Sequence, residues 1–211
     1  MILSDIPLRE LKKARNKIAL YEATLSLIEE KMFKEVMLDD ICRKAEVSRV
    51  TFFKYFQRKE DLLIYFMRVW LTEVIIEIEN EGMIGFSSVR HLLSKVAEQY
   101  KERAGLMPSL ISFLAEMKMH PCMPEMSTAE ILLLFPDHEE IGAQSPNMYD
   151  LFHRCMSEAQ MNGQLRNNLS IEMAVQVLFT VFYGAFLTAQ FYNSSDIFSF
   201  YESHLQLLES R

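Results

Sequence analysis

Only six glycines and six prolines are spread over 211 residues. So few backbone breakers argue against a turn-rich β architecture and favour helices. Long Val/Thr alternations are missing too, whereas Leu, Met, Glu, Lys and Ala are plentiful. The expected fold class is all-α. Cysteine is scarce: Cys42, Cys122 and Cys155 form an odd set without framework spacing. That argues against a secreted disulfide scaffold and for a reducing, cytoplasmic setting. The opening stretch, "MILSDIPLRELKKARNK", lacks the basic-then-apolar order of a signal peptide. There is no Gly-rich phosphate loop, no metal-type His/Glu pair on one helical turn and no nucleophile elbow. The five histidines are scattered, and His153 beside Arg154 and Cys155 reads as a surface or interface residue. An enzyme is therefore not expected, nor a cofactor.

Uncharged length is concentrated in "MAVQVLFTVFYGAFLTAQFY", 173–192, twenty residues that could span a bilayer. The run contains Gln176, Thr180 and Gln190, and its flanks carry acids, Glu172 and Asp196, rather than bases. The expectation is no membrane span but a helix buried on all sides, partly by a partner subunit.

Charge is unevenly distributed. Residues 1–60 hold 13 Lys/Arg against 10 Asp/Glu, and residues 61–211 hold 9 against 19, within a net of −7. A basic end on an acidic body suggests a polyanion partner for the first part alone.

Periodicity then orders the chain. Leu11, Ala14, Ile18, Tyr21, Leu25, Ile28 and Met32 recur every three or four residues, which predicts an amphipathic helix over 8–32. Its first turns carry Arg9, Lys12, Lys13, Arg15 and Lys17. A short helix is predicted at 38–45, with Asp39 and Asp40 in its first turn. A second, at 49–55, is capped by Ser48. Only "EVS", 46–48, separates the two, and Val47 can plug the angle between them. Phe52 and Phe56, one turn apart, face inward with Ile41 and Ala45. This is a helix-turn-helix unit. Further helices are predicted at 59–80, 87–103, 106–118, 126–135, 147–162, 171–192 and 195–209, with Ser170 capping 171–192. Pro121, Pro124, Pro136 and Pro146 break the region between, and Gly82 and Gly163 end helices. The expected domains are 1–58, the helix-turn-helix domain, and 59–211, a helical regulatory domain for ligand binding and dimerisation.

A helix held beyond its own small core fits the major groove of double-stranded DNA, about 12 Å wide. With Phe52 and Phe56 inward, Arg49, Val50, Phe53, Lys54 and Tyr55 point out. Arg49 suits a guanine edge or a phosphate, and Val50 suits a thymine methyl. Lys54, Tyr55 and Lys59 suit phosphates, Lys59 at the N-terminus of the following helix. The candidate DNA-binding set is Ser48, Arg49, Val50, Thr51, Phe53, Lys54, Tyr55 and Lys59.

The same stretch resembles the TetR-type bacterial transcriptional regulators. Their signature is apolar-Ala-x-x-Ala-Gly-Val-Ser, base, small, Thr, apolar, Tyr, x, His/Tyr, Phe, then Lys-Glu and Leu. This chain reads Ile41-Cys42-Arg43-Lys44-Ala45-Glu46-Val47-Ser48-Arg49-Val50-Thr51-Phe52-Phe53-Lys54-Tyr55-Phe56, then Lys59-Glu60 and Leu62. The match covers about 33–63, with a weaker echo at 162–179. Glu46 departs from the turn Gly, Phe53 from Tyr, Val50 from Gly or Ala, and Met37 from a capping Thr. The resemblance implies a homodimer on a palindromic operator. The dimer surface is expected at 147–162 and 171–192, which could pair with their copies as a four-helix bundle, with Gly184 and Ala185 allowing close approach. The resemblance also implies a repressor released by a small-molecule effector.

After residue 60 the chain is rich in Met, Phe and Leu. Trp70, Phe86, Tyr100, Phe113, Met117, Phe152, Phe179 and Tyr183 could line an apolar cavity for a hydrophobic ligand. Plain core packing is the competing account of each. A different regulator is suggested by "MKMHPCMPEM", 117–126, whose Met117, Met119, His120, Cys122, Met123 and Met126 are soft ligands for metal or thiol sensing. A Pro-broken loop explains that stretch as well, and no metal site is assigned. A helical interaction protein without DNA binding is the remaining alternative.

Overall fold

A computed structural model of the chain describes residues 5–29, 31–118 and 122–210. Among these residues there are eleven α-helices and no β-strand, so the all-α expectation holds. The helices are α1 (Leu8–Leu27), α2 (Leu38–Lys44), α3 (Arg49–Phe52), α4 (Asp61–Asn80), α5 (Phe86–Glu102) and α6 (Leu106–Met117). They continue as α7 (Thr128–Leu134), α8 (Glu139–Ala143), α9 (Met148–Met161), α10 (Ile171–Phe191) and α11 (Ile197–Leu205). By contacts the described chain forms two units, one from residues up to 73 with 102–146, the other from 74–101 with 147–210.

In the first unit α1 packs on α2 and α7, and α2 on α3. Leu20, Ile28, Ile41, Phe52, Leu62, Tyr65 and Val69 are closed off from solvent at its centre. The first helix is shorter than its apolar stripe predicts. It stops at Leu27, and a 3-10 turn, Phe33–Glu35, follows. The cause lies far along the chain: the amide of Phe33 donates to Ser109 Oγ of α6 at 2.8 Å, and the amide of Gly105 donates to the Glu29 carbonyl at 3.0 Å. Those bonds turn the backbone so that Phe33 and Val36 enter the core. The sequence reading also omits α8, which lies between Pro136 and Pro146. It stands because Gly142 fits against Phe135 and Ile131, where a Cβ would come within 2.8 and 2.9 Å.

In the second unit α10 packs on α9 and α11. Caps read from sequence are present: Ser170 accepts from the Met173 amide at 3.2 Å, and Gly82 and Gly163 take φ of 60° and 66°. Arg90 of α5 donates to Glu202 and Glu209 at 2.8–2.9 Å, tying α11 and the chain's last turn down. The α10 helix is long and apolar enough to cross a membrane by length and composition, but 39% of that stretch is buried inside the protein. Ala174, Leu178, Phe182, Ala185 and Phe186 face its own unit, and the burial on all sides expected of it is not complete within one chain. Ala185 is therefore turned inward, whereas a Cβ built on half-buried Gly184 meets nothing within 4 Å.

Candidate nucleic-acid interface

The α2 helix ends in a Schellman turn. The Val47 amide reaches the Cys42 carbonyl at 2.9 Å and the Glu46 amide reaches the Arg43 carbonyl at 3.2 Å. Such a turn needs a left-handed residue, and Glu46 supplies it at φ 54°, where glycine has no steric penalty. Val47, buried, fills the angle. Ser48 then caps α3, its Oγ accepting from the Thr51 amide at 3.2 Å. The α3 helix proper is one turn, continuing as tighter turns to Tyr55, shorter than the predicted 49–55. Behind it, the Phe52 and Phe56 rings lie 5.5 Å apart, and Phe56 meets Tyr65 edge-on at 5.8 Å.

That packing leaves a coherent outer face. Ser48, Arg49 and Lys54 are exposed, and Val50 and Phe53 are 72% and 52% exposed although both are apolar. Arg49 Nε stands 3.3 Å from Asp39, an exposed pair worth at most about 1 kcal/mol and easily exchanged for a phosphate. Thr51 and Tyr55 are half-buried, and the Tyr55 hydroxyl accepts from Asn16 Nδ2 of α1 at 3.3 Å. Lys59 is placed differently from the others. Its ammonium donates to the carbonyls of Phe33, Lys34 and Val36 at 3.0, 3.4 and 2.8 Å and lies 4.6 Å from the Phe33 ring centre. Burial lowers its pKa. Lys59 thus clips the 3-10 turn onto the start of α4.

Lys17 of α1 is a second basic residue drawn inward. Its ammonium pairs with Glu130 of α7 at 2.8 Å, and Glu130 also accepts from the Tyr65 hydroxyl at 2.9 Å and Ser127 Oγ at 2.8 Å. Burial raises the Glu130 carboxyl, but Lys17 outweighs it and the net displacement is downward. Sequence reasoning placed Lys17 only among the basic first turns of α1. Its signal was weak: a lysine one position from Ile18, on the edge of the apolar stripe.

The eight ligand candidates fall into both units. In the first, Trp70 stacks near Phe66 at 6.4 Å, while Phe113 and Met117 meet the Arg58 guanidinium at 6.0 Å (ring centre) and 3.7 Å (Sδ). In the second, Phe152 meets Phe179 edge-on at 5.2 Å, Tyr183 meets Phe182 at 5.0 Å, Phe86 is buried, and Tyr100 packs on Phe186 while donating to Gln190 at 3.2 Å. A surface recess of about 390 Å³ beside the α2–α3 turn is lined by Ala19, Glu22, Ala23, Ser26, Lys44, Ala45 and Glu46, none of them among the eight. Of the soft-ligand stretch, Met119 and His120 lie outside the described residues; Cys122 is exposed, and Met123 and Met126 are half-buried.

Residues 20–66 match the family described as bacterial regulatory proteins, tetR family. That match spans 47 of the 211 residues and takes in the helix-turn-helix stretch. Solved structures share the fold over nearly the whole chain. The reduced form of E. coli NemR is 17% identical, covering 92% of this chain and 98% of its own at a TM-score of 0.57. Regulatory protein TetR from Rhodobacter sphaeroides is 21% identical, with 89% and 95% covered and a TM-score of 0.55. Thermus thermophilus FadR, a TetR-family repressor in complex with lauroyl-CoA, is 23% identical, with 90% and 92% covered and a TM-score of 0.55. No curated protein matches the chain. The matched stretch takes in the end of α1, all of α2 and α3 and the first turn of α4, and the helices α5 to α11 follow it in the chain.

Proposed function

We propose that this chain is a cytoplasmic repressor of the TetR type that reads a palindromic operator as a homodimer and is released by a small hydrophobic effector. Residues 1–58 do the reading and residues 59–211 hold the effector and the second copy. One observation carries the first half: a capped one-turn helix turns Arg49, Val50 and Phe53 to solvent over a closed core of Phe52 and Phe56. Exposed apolar side chains beside a guanidinium held only by an exposed pair with Asp39 suit base edges, while Ser48, Thr51, Lys54 and Tyr55 suit the flanking phosphates. Lys59 joins this set by holding the reader in place, and meets phosphate only where its carbonyl contacts give way. Exposed Met161 on α9, with Met173 and Phe191 on α10, supports a second copy packed there. For the effector, Trp70, Phe86, Tyr100, Phe113, Met117, Phe152, Phe179 and Tyr183 remain the candidate apolar contacts. The lauroyl-CoA and stearoyl-CoA held by the T. thermophilus and Bacillus subtilis FadR structures support a long apolar ligand for this fold. Such an effector acts by favouring a dimer whose readers no longer match the operator.

The test is selection of duplexes by the full-length chain from a random pool, followed by anisotropy of the winner across a salt series. A palindromic winner and a steep loss of affinity with salt are expected. Arg49→Ala should weaken binding by about 1–3 kcal/mol, and Lys54→Ala should lower the salt slope by about one. No enriched sequence, or binding indifferent to salt, refutes the reading.

A further inference from the structure

Arg68 sits on the inner side of α4 at 2% exposure and is the bulkiest side chain closed off from solvent. Its Nη1 donates to Thr72 Oγ1, and its Nη2 donates to the Gly142 carbonyl of α8 at 2.6 Å. Its Nε–H is buried with no partner. Among the described residues no carboxylate forms an ion pair with it. The one carboxylate whose field it feels, Glu130, is already engaged by Lys17, Tyr65 and Ser127. Lys17, Glu130 and Arg68 together leave this core with one uncompensated positive charge, and proteins rarely bury a charge without a partner.

Such an arrangement is costly if it serves only to tie α4 to α8, since a neutral donor would hold the Gly142 carbonyl at less desolvation. We infer that Arg68 anchors the anionic group of the effector, and that this group is a carboxylate on an apolar body. One unpartnered N–H and a deficit of one charge match a carboxylate. A phosphate brings more acceptors and charge than one unpartnered N–H can satisfy, and Ile131 and Phe135, which stand against Gly142, add only apolar surface. The site also touches the path to DNA. Gly142 presents its carbonyl only because position 142 has no side chain to strike Phe135 and Ile131. An anion at Arg68 competes with that carbonyl for the guanidinium and so acts on α8 and its neighbour α7, whose Glu130 holds Lys17 of α1. This inference rests on the effector-controlled reading above and specifies the ligand's chemistry.

Binding is read by isothermal titration calorimetry, which needs no DNA. Full-length protein is titrated with straight-chain carboxylates from acetate to hexadecanoate and with benzoate, below micelle concentrations, each beside its methyl ester. At least one acid should bind, with its ester weaker by about tenfold or more. In folded Arg68→Met, checked by circular dichroism, the acid should fall to the level of the ester, whereas Arg68→Lys should keep part of the preference. The acid–ester comparison on the natural sequence stands even where the Met variant does not fold. Binding by no acid, equal binding of acid and ester, or a preference that survives in folded Arg68→Met overturns the inference. Carboxylate binding by a chain that selects no duplex keeps the anchor and refutes the regulator reading instead.

Discussion

Glu46 holds a left-handed turn position that glycine occupies without strain, and it does so directly beside the reading helix. Its amide and that of Val47 close the Schellman turn, so the conformation is imposed by the hydrogen bonds, not chosen by the side chain. A non-glycine residue there costs about 1–2 kcal/mol, part of which glycine's greater freedom in the unfolded chain offsets. Glu46→Gly is therefore expected to raise stability by about 1 kcal/mol, seen as a higher urea midpoint at unchanged slope. An unchanged or lower midpoint would show that the glutamate is held by something other than the turn. The same locality explains why Ser48 and Ser170 were legible as caps: the bond a cap makes lies within three residues of it.

Between elements, the network of Lys17, Tyr65 and Glu130 joins α1, α4 and α7, so the helix that supports the DNA reader is fastened by a carboxylate from α7. Glu130→Ala would leave a largely buried ammonium and a buried hydroxyl without their acceptor, at about 3–5 kcal/mol. The pH dependence follows from the direction of the shift. Glu130 titrates below its unfolded value of about 4.3, so its stabilisation is complete above that pH and is lost as pH falls through the depressed folded value. Thermal unfolding of the natural chain should therefore lose stability between pH 5 and pH 3 more steeply than Glu130→Gln, which has no proton to take up at this site. Parallel acid limbs for the two proteins would remove Glu130 from this account. Lys17 alone could not have revealed the tie, because its partner is separated from it by most of the first unit's sequence.

At the level of the whole molecule, α10 has one face occupied by its own unit and one face left over. Gly184 lies on the second, where an added side chain meets nothing in this chain. Gly184→Trp is expected to leave the helical content intact, since glycine is a poor helix former. It should split the proposed dimer, so that sedimentation reports 24.7 kDa in place of about twice that. A variant sedimenting like the natural protein would move the seam away from Gly184. The inward turn of Ala185, expected alongside Gly184 as part of the seam, already narrows the candidate surface to one side of α10.

Sequence by itself determined ten of the eleven helices among the described residues, most of their ends and the inward pair Phe52 and Phe56. Each of these follows from spacing, capping or backbone freedom acting over a turn or two. Tertiary structure alone decided where α1 stops, since the bonds that stop it come from Ser109 and Gly105. It also decided that five residues around Gly142 form a helix, and which cations leave the surface. Lys17, Lys59 and Arg68 read as ordinary bases in sequence, yet each is drawn inward by an acceptor from another element: Glu130, the carbonyls around Phe33, and the Gly142 carbonyl. A charge enters a protein only where distant chain supplies oxygen at hydrogen-bond distance, and local pattern carries no record of that meeting.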